Sequence, residues 1–474
     1  MVESIGFRIY KRLPVFCQNV VFSLKGLQNH HERYNRYFHN YLSWLRESEW
    51  WSGEEIYKYQ NEKLRHIVAY AYENIPFYKR WFDEHGIRPN QIKTQEDLNK
   101  LPILTKQTVR DNQDELISHQ YKKRQLLRRL TSGTTGTALT IYAIREATAF
   151  QWAIWWRHRA RFGFNIGDSH LSFGARIAVP VTQKRPPFWR QNLMARQTYI
   201  STYHMTHKNL PVIVDWINKH DFDFYAGYPS AIYVLANFLS ENNMHLLHRP
   251  KCIICGSEAL LPTFERCIRE VLGVPVTEQY GMAEFAGNMA KCECGKFHLD
   301  FECCCVEAIP MSSASDGYAK LIFTGWGNPA MPFIRYDVGD YAVQSKQVCR
   351  CGRESICFDS VDGRIEDYIR TPDGRMAIGM NQVFEYAPGA KEIQIYQGRL
   401  EEIEVRVVPG RNYTMQDEQA LLLELRQRVG NEINIKFVLV DHIPRTSSGK
   451  FRAVVSGLTG QSEGEEELKE RIER

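Results

Sequence analysis

Leu130-Thr131-Ser132-Gly133-Thr134-Thr135-Gly136-Thr137 sets two glycines in a dense row of hydroxyls. Glycines let consecutive backbone N–H groups turn inward as an anion-binding nest, and Ser and Thr hydroxyls rotate to donate to phosphate oxygens. The apolar segment Ala138-Leu139-Thr140-Ile141-Tyr142 behind it reads as a strand, so the spacing predicts a hairpin-like loop. A Walker loop is excluded, because the Gly-Lys-Ser/Thr ending and the helix that follows it are both missing. Taken alone, the stretch fits an ordinary Ser/Thr/Gly surface turn equally well.

Upstream, helical periodicity through Lys63–Tyr72 stops at Ile75-Pro76, which makes residues 1–110 a helical lead-in to the large domain. Downstream, short apolar runs alternate with amphipathic ones. Val212–Ile217 and Ala231–Phe238 predict helices, and Lys251–Cys255 and Tyr318–Thr324 predict strands. Such alternation predicts an α/β core with substantial parallel sheet over residues 111–364. After Asp362-Gly363-Arg364 the texture changes: Gln394–Tyr396, Glu402–Val408, Ala420–Val429 and Ile435–Val440 read as strand, strand, helix, strand. Residues 365–474 are therefore expected to form a small α+β domain, ending in a charged tail from Gln461.

At 474 residues the chain is long enough for two or more domains, and a net charge of +5 gives no reason to expect a nucleic-acid partner. The first apolar stretch, Ile5 to Leu27, is interrupted by Arg8, Lys11, Arg12 and Lys25 and is too broken to cross a bilayer. It reads as a helix packed on the domain or as a basic amphipathic segment on a membrane surface, with a cytoplasmic location expected either way. Oligomeric state is open, and a homodimer is compatible with the sequence. Twelve cysteines in a long chain without a clear secretory signal argue against a disulfide framework. Cys292-Glu293-Cys294 and Cys349-Arg350-Cys351 are each followed by a glycine, like the knuckles that turn two thiolates toward one ion, and His298 lies near the first pair. Four ligands from Cys292, Cys294, His298, Cys349 and Cys351 would make a closed structural Zn²⁺ site, the other reading being buried free thiols. Cys252 and Cys255 lie on opposite faces of a strand and read as core filler, as does Cys303-Cys304-Cys305.

Five more segments follow the opening loop in order: Gly256-Ser257-Glu258, Glu278-Gln279-Tyr280-Gly281-Met282-Ala283-Glu284, Arg335-Tyr336-Asp337-Val338-Gly339-Asp340, Asp362-Gly363-Arg364 and Pro444-Arg445-Thr446-Ser447-Ser448-Gly449-Lys450. With them the chain resembles the adenylate-forming superfamily over nearly its whole length, most closely its phenylacetate-CoA ligase and CapK-type branch, which is associated with capsular polysaccharide. Asn74–Tyr78, Leu101–Lys106 and Ala226–Ser230 resemble that branch too. The resemblance implies a large α/β domain with a small mobile C-terminal α+β lid. It also implies ATP-dependent activation of a carboxylic acid as acyl-adenylate, followed by transfer to CoA or another acceptor. Two anions must then be brought into line, so cations and donors have to converge on the α-phosphate.

By this resemblance Ser132, Gly133, Thr134, Thr135, Gly136 and Thr137 would hold the leaving phosphates, and Glu284 would help bind Mg²⁺. Asp340 would accept from the ribose hydroxyls, while Gly256, Ser257, Glu258, Gln279, Tyr280, Gly281 and Met282 would line the ATP/AMP site. Tyr228 and Pro229 would border the acid, Arg364 would stand at the hinge, and Lys450 would bridge carboxylate and α-phosphate. Two features depart from the pattern. Thr137-Ala138-Leu139 stands where many acyl-CoA synthetases carry a Pro-Lys pair, and Ile365-Glu366-Asp367 replaces the paired aspartates usual at the hinge. No CoA nucleotide pocket is marked. Two other functions fit the sequence: an adenylyltransferase acting on a cofactor or glycan, and a non-catalytic regulatory relative binding a polysaccharide-pathway partner.

Overall fold

The computed structural model describes residues 5–131, 139–174, 176–257, 260, 262–310, 318–362, 369–374, 376–377, 380–387, 389–410, 412–441, 443 and 454–458. A twelve-stranded mixed sheet dominates it. Five neighbouring strands are parallel, in the spatial order Val276–Gly281, Cys252–Gly256, Phe224–Gly227, His170–Gly174 and Gln197–Ser201. They are linked by helices such as Pro229–Glu241 and Pro262–Leu272, the crossovers that parallel pairing requires. Trp189–Asn192 closes one edge antiparallel. Beyond Val276–Gly281 the sheet turns antiparallel through Asn288–Lys291, Phe297–Leu299, Cys357–Asp362, Tyr336–Gln344, Tyr318–Gly325 and Cys304–Pro310.

Strand–helix junctions set where side chains can stand. Gly227 has φ +140°, and a Cβ there would lie 1.8 Å from the Phe173 carbonyl oxygen, so only glycine fits the end of this strand. The helix Gly53–Asn74 carries the periodicity read from Lys63–Tyr72, starts with a Ser52/Glu55 capping box and yields at Ile75 to a second helix with Pro76 in its first turn. These helices share one apolar core with the sheet, in which Leu64, Val68, Phe82, Phe323 and Tyr336 are all buried.

Leu127–Leu130 pairs antiparallel with Thr140–Ala143, and the Thr131 N–H donates to the Leu139 carbonyl at 3.0 Å. The hairpin expected from the sequence is therefore present, although its connecting residues 132–138 lie outside the described ones. In the C-terminal region a four-stranded sheet, ordered Asn434–Leu439, Glu402–Pro409, Ala390–Arg399, Val454–Ser456, packs on the helix Met415–Val429 around Ile393, Ile395, Val405 and Leu425. This separate core is the α+β unit that the strand, strand, helix, strand reading anticipates.

Candidate active site

Tyr280 lies one residue before the end of the strand Val276–Gly281, and Asp340 lies on Tyr336–Gln344; three strands separate these two in the sheet order. The Tyr280 hydroxyl nonetheless donates to Asp340 Oδ2 at 2.6 Å, and its ring stacks on Phe323 at 6.2 Å. A phenol held on this carboxylate fixes both side chains. Gly256 pairs in register with Gln279, whose carbonyl oxygen would stand 3.1 Å from any Cβ at Gly256, and Ser257 follows with φ +72°. The ends of two adjacent parallel strands thus bring Gly256, Ser257, Gln279 and Tyr280 together, the place where open α/β sheets bind ligands.

The chain then turns sharply at Phe285, with φ +58°. This turn packs on Gly325, where a Cβ would come within 2.8 Å of Ala286 Cα and of the Phe285 carbonyl. Gln151 Nε2 holds the Met282 carbonyl at 3.0 Å. Glu284 is buried by the turn, 7% exposed, with the Tyr336 hydroxyl donating to its Oε1 at 3.4 Å and Lys106 Nζ 3.9 Å from the same oxygen.

Lys106 is a residue that sequence reasoning left without a role. It reaches Glu284 because the Leu104 N–H donates to the Arg335 carbonyl and the Asp337 N–H to the Leu104 carbonyl, both at 2.9 Å. Arg335 also donates to the Leu101 carbonyl and pairs with Glu307. The segment Leu101–Lys106 is in this way laced onto the strand that carries Asp340.

Behind the Glu278–Glu284 segment, Arg157 is buried in the helix Arg145–Arg161 and pairs with Asp300 and Glu302, each at 2.5 Å. Burial opposes its charge, but the two carboxylates outweigh that and hold its pKa above the ordinary guanidinium value. Asp300 accepts from Asn288, Asn288 accepts from the Trp155 indole at 3.0 Å, and a Cβ at Gly281 would meet Asn288 Oδ1 at 2.5 Å. A small cavity of about 20 Å³, room for about one water, lies beside this network, lined by Phe150, Gln151, Ile154, Phe285, Asn288 and Cys303 among others. Tyr228 and Pro229 do not line it; both are buried at the end of Phe224–Gly227, where Tyr228 belongs to a second apolar core. Ser132 to Thr137, Glu258, Arg364 and Lys450 fall outside the described residues.

A second cluster sits at the corner where the hairpin Asn288–Lys291/Phe297–Leu299 meets the loop before Cys357. The side chains of Cys292, His298, Cys349 and Cys351 converge, with all four ligand atoms within 4.8 Å of one another. Cys292 and Cys349 sulfurs are 3.6 Å apart, and Cys351 Sγ is 3.3 Å from His298 Nε2. A tetrahedral zinc with bonds of about 2.3 Å to sulfur sets its sulfurs about 3.8 Å from each other, close to the 3.6 Å between Cys292 and Cys349. Ser355 Oγ lies 3.4 Å from His298 Nδ1 and orients the ring. Gly295 and Gly352, both at φ +85°, close the two knuckles. Burial pushes the Cys292 thiol up to about 12 and His298 down to about 4, so the imidazole is neutral and can ligate through Nε2. Cys294 is exposed and stays outside the cluster: the tight turn that aims Cys292 inward sends it to solvent. Cys252 and Cys255 are buried in their strand, 2% and 1% exposed.

Residues 370–457 match the CapK C-terminal domain family. Over 460 residues the chain is 25% identical to Protein CapK of Staphylococcus aureus, covering 95% of this chain and 99% of that protein. It is 23% identical over 439 residues to phenylacetate-coenzyme A ligase of Thermus thermophilus, covering 85% and 96%. Among solved structures, 2-hydroxyisobutyryl-CoA ligase in complex with 2-HIB-AMP and CoA superposes with a TM-score of 0.58 at 19% identity, over 90% of this chain and 93% of that one. The chain is thus a relative of CapK and of the phenylacetate-coenzyme A ligases, built on the adenylate-forming fold and carrying a CapK-type C-terminal domain.

Proposed function

We propose that the chain uses ATP to activate a carboxylic acid as an acyl-adenylate and then passes the acyl group to CoA or another acceptor. The observation that carries this reading is the Tyr280–Asp340 contact, at 2.6 Å, at the same strand end as the buried Glu284. Tyr280 presents a ring beside the strand end at Gly256 and suits a flat base; Asp340 offers carboxylate oxygens to a diol. Among the described residues, Glu284 has the neutral Tyr336 hydroxyl at hydrogen-bond distance and Lys106 at 3.9 Å, too far for an N–H···O bond. An oxygen ligand of that kind fits Mg²⁺, which would supply charge screening on the phosphates. Lys106 adds a further positive charge near the phosphates, the property lost where the opening loop lacks Pro-Lys. Likeness to phenylacetate-coenzyme A ligases favours an acid–CoA ligase, and likeness to CapK along nearly the whole chain favours work in cell-surface polysaccharide synthesis.

ATP–pyrophosphate exchange across a panel of acids tests the reading, with exchange expected for at least one acid. Asp340→Ala should raise the half-saturating ATP concentration about tenfold or more, the loss expected for hydrogen bonds to a charged group. An unchanged ATP dependence would remove Asp340 from the nucleotide site.

Cys292, His298, Cys349 and Cys351 are assigned to a structural Zn²⁺ that staples the hairpin to the loop before Cys357. Metal analysis of the purified chain should find about one zinc per molecule. Cys349→Ser should lose it and unfold at lower temperature, whereas Cys294→Ser should keep it. Equal metal loss in both variants would contradict the assignment.

A further inference from the structure

The helix Val15–Arg33 packs on the protein with its polar side. Gln18 Oε1 accepts from Arg190 Nε at 2.7 Å, Asn19 Oδ1 from the Gln191 N–H at 3.0 Å, and Ser23 Oγ from the Leu193 N–H at 3.0 Å. Gly26 meets Asn192 so closely that a Cβ would lie 2.3 Å from its Oδ1. These contacts cover Trp189–Asn192, the edge strand of the large sheet, whose free backbone groups would otherwise template aggregation.

Phe22 of the same helix turns to the Tyr199 ring at 6.2 Å, but four of its apolar side chains face out. Phe16, Val20 and Leu24, at i, i+4 and i+8, are 76%, 40% and 61% exposed, and Val21 beside them is 41% exposed. Ile9, on the preceding helix Ile5–Arg12, is 57% exposed as well. Leu193 and Met194, 67% and 54% exposed, lie on the turn that the Ser23 hydrogen bond fastens to Val15–Arg33. A surface helix normally shows the reverse pattern. Isolated exposed apolar residues are ordinary, but four on one helix beside two more on the turn fastened to it mark a surface made for an apolar medium.

Charge identifies that medium. Residues 5–31 contain Arg8, Lys11, Arg12 and Lys25 and no Asp or Glu, and Arg196 follows the Leu193–Ala195 turn. Lys11 Nζ lies over the Phe7 ring, 4.8 Å from its centroid. Glu32, near the far end of the helix, is paired with Arg129 at 3.6 Å, and an apolar strip whose charges over residues 5–31 are all cationic fits an anionic bilayer, with the helices lying in the headgroup plane. Among the described residues no helix is long and apolar enough to cross a membrane.

We infer that the outer face of Ile5–Arg12 and Val15–Arg33, with the turn Leu193–Ala195, docks on the surface of anionic phospholipid bilayers. The test is co-sedimentation of the full chain with vesicles of phosphatidylcholine alone or containing about a third phosphatidylglycerol, at low and high salt. Binding is expected to the anionic vesicles, to fall as salt is raised, and to drop about tenfold or more in Phe16→Glu/Leu24→Glu as apolar burial is lost. Circular dichroism should show that pair folded, since both side chains are exposed; if it is not, Leu193→Ser/Met194→Ser on the separate turn carries the same test. Absence of vesicle binding, or binding that neither pair weakens, overturns the inference. A dimer that the same substitutions dissociate, without any vesicle binding, would reassign the face to a second copy of the chain.

Discussion

Lys450→Ala is expected to lower acid-dependent ATP–pyrophosphate exchange by roughly two or more orders of magnitude, the scale lost when a charge-stabilising group is removed from a transition state. Attack by a carboxylate on the α-phosphate brings anion onto anion, and their repulsion must be relieved where the two meet. A compact ammonium placed between them can. Lys450 lies within the stretch matching the CapK C-terminal domain and just before Val454–Ser456, which pairs parallel with Ala390–Arg399. That pairing anchors the strand just after Lys450 to the small domain. Lys450→Arg should recover little, because a planar fork does not replace a point charge in a confined space. ATP binding should change far less than exchange in both variants; equal losses would make Lys450 a simple binding residue.

Arg157→Met is expected to lower stability by about 3–5 kcal/mol, the cost of leaving buried carboxylates without their cation. Asp300 and Glu302 are 1% and 0% exposed, and Ser48 donates to Glu302 at 2.6 Å from the helical lead-in. One guanidinium therefore joins the lead-in, the helix Arg145–Arg161 and the antiparallel half of the sheet. Adding Asp300→Asn and Glu302→Gln to Arg157→Met should restore much of the loss, since the uncompensated charges go with it. Urea unfolding of the single and triple variants measures this directly, and a triple variant no more stable than the single would show that packing, not charge, sets the cost.

The hairpin around the opening loop, the α/β core and the strand, strand, helix, strand unit were legible because each rests on local periodicity or on Gly and Pro positions. Local patterns also delimited the cysteine knuckles. They could not exclude Cys294, because both Cys-x-Cys-Gly turns look alike in sequence and only the folded turn shows that Cys292 points inward and Cys294 to solvent. Lys106 was quoted as part of a likeness without a role; its place beside Glu284 arises from backbone bonds between Leu104 and residues more than two hundred positions away. Arg157, Asp300 and Glu302 carry no motif at all, and their convergence is a product of tertiary packing. The helix Val15–Arg33 was amphipathic in sequence, yet amphipathicity names two faces without saying which one meets the protein. Hydrogen bonds from the edge strand Trp189–Asn192 settled that choice in favour of the polar face.

Isotope transfer tests the central claim most directly. With an acid labelled in both carboxylate oxygens with heavy oxygen, attack on the α-phosphate carries one labelled oxygen onto phosphorus, and later acyl transfer breaks the acyl–oxygen bond. Mass spectrometry of the nucleotide should then find a single labelled oxygen in AMP, in step with pyrophosphate release. Unlabelled AMP, label in inorganic phosphate, or a stable adenylyl conjugate in place of free AMP would contradict activation of a carboxylic acid by this chain.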